Sequence, residues 1–263
     1  MNTNGPGTIT IGTSGTPVTP NFQGSTAMQL IAASSINMAL NGGSLTTLSS
    51  FGDGATISGG DVSLALTGNG AIVNASGATA ARGLDVFGTG IMTVTSNATI
   101  GGASAATSFN IGIFASAFAA TGSGDVTVNQ TGGTIFATNY GINASIGATG
   151  SGSVTVSTAS GSAITLTDPA ASGIDASTSG TGAVTVHQAG AITGGAVGIN
   201  AVIFNAANSG DITVTSSGTV DASFKGINAV TLGSGNISIT TSSTINGPEG
   251  GGIVADASTG ASP

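Results

Sequence analysis

A five-residue pattern of alternating polar and aliphatic positions recurs along most of the chain. It consists of Gly, a small or polar residue, Val or Ile, Thr or Ser, and a second aliphatic residue. The clear copies are GDVTV at 124–128, GSVTV at 152–156, GAVTV at 182–186, GDITV at 210–214 and GNISI at 235–239, and looser copies are GDVSL at 60–64 and GIMTV at 90–94. From Gly60 onward, their first glycines are separated by 30, 34, 28, 30, 28 and 25 residues. This alternation predicts a short β-strand in every repeat.

Two further segments follow each copy of the motif. The second segment has an aliphatic centre, as in SAITL at 162–166 and GAITG at 190–194. The third segment begins with Gly, as in GINA at 141–144 and GIDA at 173–176. Because turn-forming Gly, Ser, Thr and Asn separate the segments, each repeat of about 29 residues holds three strands. The predicted fold is all-β, a right-handed parallel β-helix forming a single solenoid.

The period of two also predicts which side chains point into the coils. In the first strands these are Val126, Val128, Val154, Val156, Val184, Val186, Ile212, Val214, Ile237 and Ile239. In the second strands they are Ile135, Ile164, Ile192, Val220 and Ile245. In the third strands they are Ile142, Ala144, Ile174, Ala176, Ile199, Ala201, Ile227 and Ala229. Stacking is required, because one coil orders about 29 residues but buries only about six aliphatic side chains.

Two outward columns carry polar residues of one kind. The first strands place Thr at the same position in successive coils, Thr127, Thr155, Thr185 and Thr213. The third strands place amides and carboxylates in register at Asp85, Asn143, Asp175, Asn200 and Asn228. We expect the second column to stabilise the solenoid through hydrogen bonds between stacked side chains.

The regular repeats occupy residues 60–256. Residues 1–59 contain strand-like segments with irregular spacing, which predict either degenerate coils or an N-terminal cap. Residues 257–263 are predicted to be a C-terminal linker. The longest repeat carries Phe109, Phe114 and Phe118, which we interpret as local core or a packed loop, with an exposed apolar patch as the alternative.

Composition and charge exclude several classes of protein. The 263 residues include 46 Gly, no Cys, 2 basic and 10 acidic residues, and the formal net charge is −8. Scarce strong helix formers argue against a helical bundle, and the mean hydropathy of +0.42 argues against disorder. Nucleic acids and anionic membranes require a basic surface, so neither is an expected partner. No apolar run is long enough for a transmembrane helix.

The residues that could support catalysis do not form a recognisable constellation. His187 has no acidic residue predicted beside it, as a serine-type triad would require. The acids are Asp53, Asp61, Asp85, Asp125, Asp168, Asp175, Asp211, Asp221, Glu249 and Asp256. We find no pair of them on adjacent coils, as glycoside hydrolysis would require. Arg82 and Lys225 are predicted to lie about five coils apart, too far to bind an anionic sugar together as in pectate-lyase-like enzymes.

The sequence contains weak candidates for a calcium site and for an ice-binding face. The segment GDGATISGGDVSL at 52–64 has acids and glycines but lacks the repeated spacing of calcium-binding β-rolls. The Thr column is similar to one row of an ice-binding face, but the columns beside it are mixed. The sequence therefore predicts no catalytic, cofactor-binding or metal-binding residue, and no cofactor.

The GDVTV, GTI and GINA segments resemble those of the passenger domains of bacterial autotransporters and filamentous haemagglutinin-like adhesins. The resemblance covers about residues 60–256 and implies export to the cell surface or the extracellular space of a Gram-negative bacterium. The absence of Cys fits such export. The chain has neither a signal peptide nor a C-terminal barrel sequence, so the resemblance implies a fragment of a precursor that has its own outer-membrane barrel.

The leading hypothesis is a non-enzymatic β-helical passenger fragment with a structural or adhesive display role. Its expected partners are host or surface glycans or proteins, with end-to-end self-association through unpaired strand edges. The alternative is a carbohydrate-active, pectin-lyase-like β-helix enzyme, and a third hypothesis is an ice- or surface-binding solenoid.

Overall fold

The chain folds into a parallel β-solenoid of about nine turns, each roughly 28 residues long. The structure is a computed structural model that describes residues 2–3, 8–13, 15–32, 34–118, 124–147 and 150–257. Within these ranges every strand pairs in parallel with the equivalent strand of a neighbouring coil. They contain no helix, and hence none that could cross a bilayer. The predicted all-β solenoid is confirmed.

The first strands of the coils form a nine-stranded sheet. They are β2 (Ile9–Ile11), β5 (Ser35–Asn41), β8 (Asp61–Thr67), β11 (Met92–Ser96), β14 (Val126–Gln130), β16 (Val154–Thr158), β19 (Val184–Gln188), β22 (Ile212–Ser216) and β25 (Ile237–Thr241).

The second and third strands form one continuous sheet of eighteen strands. The second strands are β3 (Asn21–Gly24), β6 (Ser44–Thr47), β9 (Ala71–Asn74), β12 (Thr99–Ile100), β17 (Ala163–Leu166), β20 (Ala191–Thr193), β23 (Val220–Asp221) and β26 (Ile245–Asn246). The third strands are β1 (Asn2–Thr3), β4 (Met28–Ala32), β7 (Ala55–Gly59), β10 (Ala80–Gly88), β13 (Phe109–Ala117), β18 (Ser172–Thr178), β21 (Val197–Ile203), β24 (Lys225–Thr231) and β27 (Gly251–Asp256). The two series join because β15 (Thr134–Ile146) passes through the corner and pairs with both β17 and β18.

The predicted inward columns form the core. Val126, Val154, Val184 and Ile212 follow one another in register, and all four are fully buried. The other predicted inward residues are also buried, except Ile237, Ile239 and Ile245, which are partly buried against the core. These three lie in the last described coil. Among the described residues this coil has a neighbour on one side only, which leaves its side chains partly covered. The prediction of the core is therefore confirmed.

The described residues between 9 and 59 form two coils in the same two sheets. Strands β2, β3 and β4 make one coil, and β5, β6 and β7 make the next. Strand β5 pairs with β8 over seven residues, from Ser35 opposite Asp61 to Asn41 opposite Thr67. Of the predicted linker, residues 258–263 lie outside the described residues.

A column of glycines allows successive third strands to approach closely. A Cβ at Gly173 would lie 2.5 Å from the carbonyl oxygen of Gly198 and 2.5 Å from Cγ2 of Ile192, both in the next coil. The same two contacts, with the next glycine and with an Ile or Val, recur at six further glycines: Gly54, Gly83, Gly112, Gly141, Gly198 and Gly226. At these positions the close packing between coils therefore requires glycine.

Candidate functional surfaces

The outer face of the nine-stranded sheet carries a continuous column of threonines. The members pair in register in five successive coils, Thr93, Thr127, Thr155, Thr185 and Thr213. All five are half-buried, with neighbours above and below. The next outward column is mixed and contains Thr95, Asn129, Ser157, His187 and Thr215. Together the columns form a polar, hydroxyl-rich surface, which we call the threonine face.

His187 lies exposed on the threonine face. Beside it is a shallow groove of about 350 Å³, whose walls include Ser157, Gln188 and Thr215. No acidic residue lines this groove in the part of the chain that the structure describes. The imidazole therefore has no carboxylate that could orient it as a base within these residues.

Acids at the edge of the first strands hold successive coils together. Asp61, Asp125 and Asp211 each accept a backbone N–H from the next coil, at 2.8, 2.8 and 2.7 Å. The donors are Ile91, Ser153 and Asn236. The GDVTV and GDITV motifs thus contain an acceptor for the neighbouring coil, and the sequence analysis had not assigned these acids that role.

The amide and carboxylate column of the third strands forms a hydrogen-bonded ladder. Nδ2 of Asn143 donates to Oδ2 of Asp175 at 3.1 Å, and Nδ2 of Asn200 donates to Oδ1 of Asp175 at 2.9 Å. Nδ2 of Asn228 donates to Oδ1 of Asn200 at 2.8 Å, and Nζ of Lys225 donates to Oδ1 of Asn228 at 3.0 Å. We call these five residues the polar ladder. The predicted stacking is present for these members of the column.

Asp175 is the acidic residue of the polar ladder, and its position alters its own pKa and that of Tyr140. Burial raises the pKa of the Asp175 carboxyl above its usual range, although the hydrogen bond from Asn200 opposes this shift. Burial also raises the pKa of Tyr140, and the negative charge of Asp175 adds to that effect. Asp175 is therefore harder to ionise in the folded protein than an aspartate in water is.

Asp85 lies in the same column but belongs to a different cluster. It forms an ion pair with Arg82, whose Nη1 is 2.8 Å from Oδ1 of Asp85. The Arg82 guanidinium also lies over the ring of Phe114, 4.2 Å from its centroid. Oδ1 of Asp53, in the preceding coil, accepts the backbone N–H of Arg82 at 3.0 Å. Asp53 and Asp85 are thus acids on adjacent coils, a pair that the sequence analysis missed.

The Asp85 carboxyl is buried beneath its partners. Burial raises the pKa of Asp85, the positive charge of Arg82 lowers it, and the negative charge of Asp53 raises it. Its side chain is only 7% exposed. A carboxyl in this position stabilises the packing of Arg82 and Phe114 and has little access to a dissolved substrate.

The three phenylalanines of the longest repeat have different environments. Phe109 is fully buried in the core, whereas Phe118 is 58% exposed. The Phe118 ring lies 6.5 Å from that of Phe114 and 6.1 Å from that of Phe87. The interpretation as core therefore holds for Phe109, and the interpretation as an exposed apolar patch holds for Phe118.

A second groove, of about 480 Å³, contains two exposed acids at the corner between second and third strands. Asp168 and Asp221 both line it, together with Thr193, Pro169 and Pro248. The two acids lie two coils apart, because β17 pairs with β20 and β20 with β23. Asp168 accepts the backbone N–H of Ala170, and Asp221 accepts the side-chain amide of Asn246. The repeat pattern alone does not bring these acids together, because Asp168 follows its strand in a turn.

The two cations lie in one column of the third strands. Arg82 and Lys225 are five coils apart, as predicted, because the residues of this column pair in the order Arg82, Ile111, Tyr140, Ser172, Val197 and Lys225.

The acids of the segment 52–64, which was considered for calcium, have hydrogen-bond donors from the protein. Asp53 accepts the hydroxyl of Thr56 and the backbone N–H of Arg82, and Asp61 accepts the backbone N–H of Ile91. No group of three or more metal-ligating acids or histidines is found among the described residues.

Comparison with protein-family models, curated proteins and solved structures finds no match for this chain.

Proposed function

We propose that the protein is an exported β-helical module with a structural or adhesive display role at the cell surface or outside the cell. The single observation that carries the proposal is the threonine face, a polar, hydroxyl-rich surface that continues over five coils. A rigid sheet of this kind presents many equivalent weak contacts, which together bind a repetitive ligand more strongly than one site does.

The use of the charged residues supports this function. Asp61, Asp125 and Asp211 bond to neighbouring coils, and Asp175 lies within the polar ladder. These groups therefore contribute to the rigidity of the solenoid. Rigidity favours multivalent adhesion, because an ordered surface loses little conformational entropy when it binds.

The resemblance to autotransporter passengers and haemagglutinin-like adhesins supports the proposed location. Under this proposal the chain is part of a precursor with an outer-membrane barrel, and its partners are surface glycans or proteins. Brief protease treatment of intact source cells tests the location. Loss of the protein from intact cells is expected, whereas survival until the cells are lysed would contradict display at the surface.

Adhesion is tested by binding of the purified protein to glycan arrays and to immobilised surface proteins. The Thr185→Arg variant puts a long charged side chain on the threonine face and should weaken binding at least tenfold. The matched control is Ser177→Arg, which alters the outer face of β18 in the eighteen-stranded sheet. Equal binding by both variants and the wild type would place adhesion elsewhere and contradict the proposal.

A carbohydrate-active enzyme is the second candidate, and the groove that holds Asp168 and Asp221 favours it. Inverting glycosidases hold two carboxyl groups about 6.5–9.5 Å apart, and two coils correspond to about 10 Å along the backbone. A screen against polysaccharides decides between the two functions. Turnover that is lost in both Asp168→Asn and Asp221→Asn would establish the enzyme.

End-to-end association is part of the proposal. Strands β25, β26 and β27 are paired on one side within the described residues, and unpaired edges attract other strands. Size-exclusion chromatography should show species larger than the monomer that increase with concentration. A monomer at all concentrations would argue against self-association.

A further inference from the structure

The polar ladder has a defined hydrogen-bond polarity. Its three amides all donate towards Asp175, Asn143 from one side and Asn200 and Asn228 from the other. At the far end is Lys225, whose ammonium group can only donate. Lys225 therefore fixes the direction of Asn228, and Asn228 fixes that of Asn200. Asn143, at the opposite end, has no such constraint from the preceding coil, where Phe114 occupies the column.

The carboxylate form of Asp175 suits this arrangement. An ionised carboxylate accepts hydrogen bonds at both oxygens, and Asp175 receives one amide at each. A proton on Oδ2, in the position to which the N–H of Asn143 now donates, would bring two donors together. A proton on Oδ1 would create the same conflict with Asn200, whose orientation cannot be reversed without disrupting Asn228 and Lys225.

We propose that the polar ladder is a proton-driven switch, in which protonation of Asp175 on Oδ2 rotates the Asn143 side-chain amide by about 180°. After the rotation, the O–H of Asp175 donates to Oδ1 of Asn143. The bonds from Lys225 through Asn228 and Asn200 to Asp175 are unchanged. Every hydrogen bond of the ladder is thus kept, and its polarity becomes uniform from Lys225 to Asn143.

The groups around Asp175 leave its burial as the main influence on the pH of the switch. Tyr140, on the third strand of the preceding coil, is neutral because its own pKa is raised, and β21 in the next coil presents no charged side chain. Lys225 lies one coil further along the ladder, and Asp168, in the turn before β18, bonds to the N–H of Ala170. Burial raises the pKa of Asp175, so its proton binds at a higher pH than that of an exposed aspartate.

The rotation changes the polar group that Asn143 presents to Phe114. In the ionised form, the amide NH₂ of Asn143 points to Asp175. In the protonated form, the same NH₂ group points towards Phe114, which lies opposite Asn143 in the preceding coil. The switch thus exchanges an acceptor for a donor next to Phe114 and the Arg82 guanidinium that lies over its ring.

Side-chain amide NMR of the intact protein tests the switch. Between about pH 3 and pH 8, the Asn143 NH₂ signals should shift with the midpoint of the Asp175 carboxyl carbon, above the ordinary aspartate pKa of 3.8. At acid pH they should show nuclear Overhauser contacts to the Phe114 ring. Asp175→Asn, whose own NH₂ can donate to Asn143, should show the rotated Asn143 signals at every pH.

The control variant is Asp168→Asn, which changes an exposed acid outside the ladder. In this variant the Asn143 and Asp175 signals should change with pH as they do in the wild type. Three results would overturn the proposal: Asn143 signals that do not move with Asp175, Asn200 and Asn228 signals that reverse instead, or an Asp175 midpoint at or below 3.8.

Discussion

Replacing Gly173 by Ala tests the close packing of the coils most sharply. The new Cβ would lie 2.5 Å from the carbonyl oxygen of Gly198 and from Cγ2 of Ile192. Each distance is about 0.9 Å shorter than the 3.4 Å at which ordinary contact begins. One obstacle is a backbone atom in a paired strand and the other belongs to a buried side chain, so neither can move away freely.

The expected cost can be estimated from these contacts. Overpacking of a well-ordered core costs about 1–3 kcal/mol. Because the whole next coil must shift, we expect a value near 3 kcal/mol, which corresponds to a fall in Tm of roughly 6–12 °C. Stability in a repeat protein is largely a sum of neighbour terms, so the loss should be concentrated at β18 and β21.

Gly161→Ala is the matched control. Gly161 lies in an exposed turn, and a Cβ there would meet no atom within 4 Å. This variant should be as stable as the wild type, or more stable by about 0.4–1 kcal/mol. Thermal unfolding gives the overall loss, and amide hydrogen exchange locates it. Equal stability of Gly173→Ala and Gly161→Ala would refute the packing of third strands through the glycine column.

Three further substitutions test other parts of the structure. Ile174→Ala removes a fully buried side chain and should lower the free energy of unfolding by about 2–5 kcal/mol in urea titrations; a loss within error of zero would argue against its position in the core. Asp211→Ala removes the acceptor of the Asn236 N–H and should cost about 1 kcal/mol, which a thermal scan would detect. Asp175→Asn should gain stability relative to the wild type as the pH rises above the ordinary aspartate pKa of 3.8. The sign follows because a raised pKa means that the folded state binds the proton more tightly, so the wild type loses stability as pH rises from 3.8 through the folded-state pKa. An unchanged difference between the two proteins across that range of pH would contradict this.

The fold was predictable because side-chain alternation and the repeat length are local properties of the sequence. Val126, Val154 and Val184 occupy equivalent positions in GDVTV-like motifs, and this alone places them in one buried column. The coils within residues 9–59 were harder to recognise. Their strands mix Met, Leu and Ala with Ile at the inward positions and lack the GDVTV spacing. Their register is seen only in the structure, where β5 pairs with β8.

The candidate surfaces were only partly predictable. The polar ladder followed from the register of GINA and GIDA, but its polarity depends on Lys225, which reaches Asn228 from the start of the same strand. The pairs Asp53–Asp85 and Asp168–Asp221 could not be predicted from the repeats, since one member of each lies in a connection between strands. Turn residues follow no period of two, and their positions are set by how the chain passes around a corner.

Distances between spin labels along the nine-stranded sheet test the central claim, that the coils stack in parallel register. The chain has no Cys, so pairs of cysteines can be introduced at Ser63 with Thr185, Thr213 or Ser238. These positions lie four, five and six coils from Ser63. With about 4.8 Å per coil, the backbone separations should be about 19, 24 and 29 Å. Distances that rise in equal steps would support the solenoid, and distances that do not increase with coil number would contradict it.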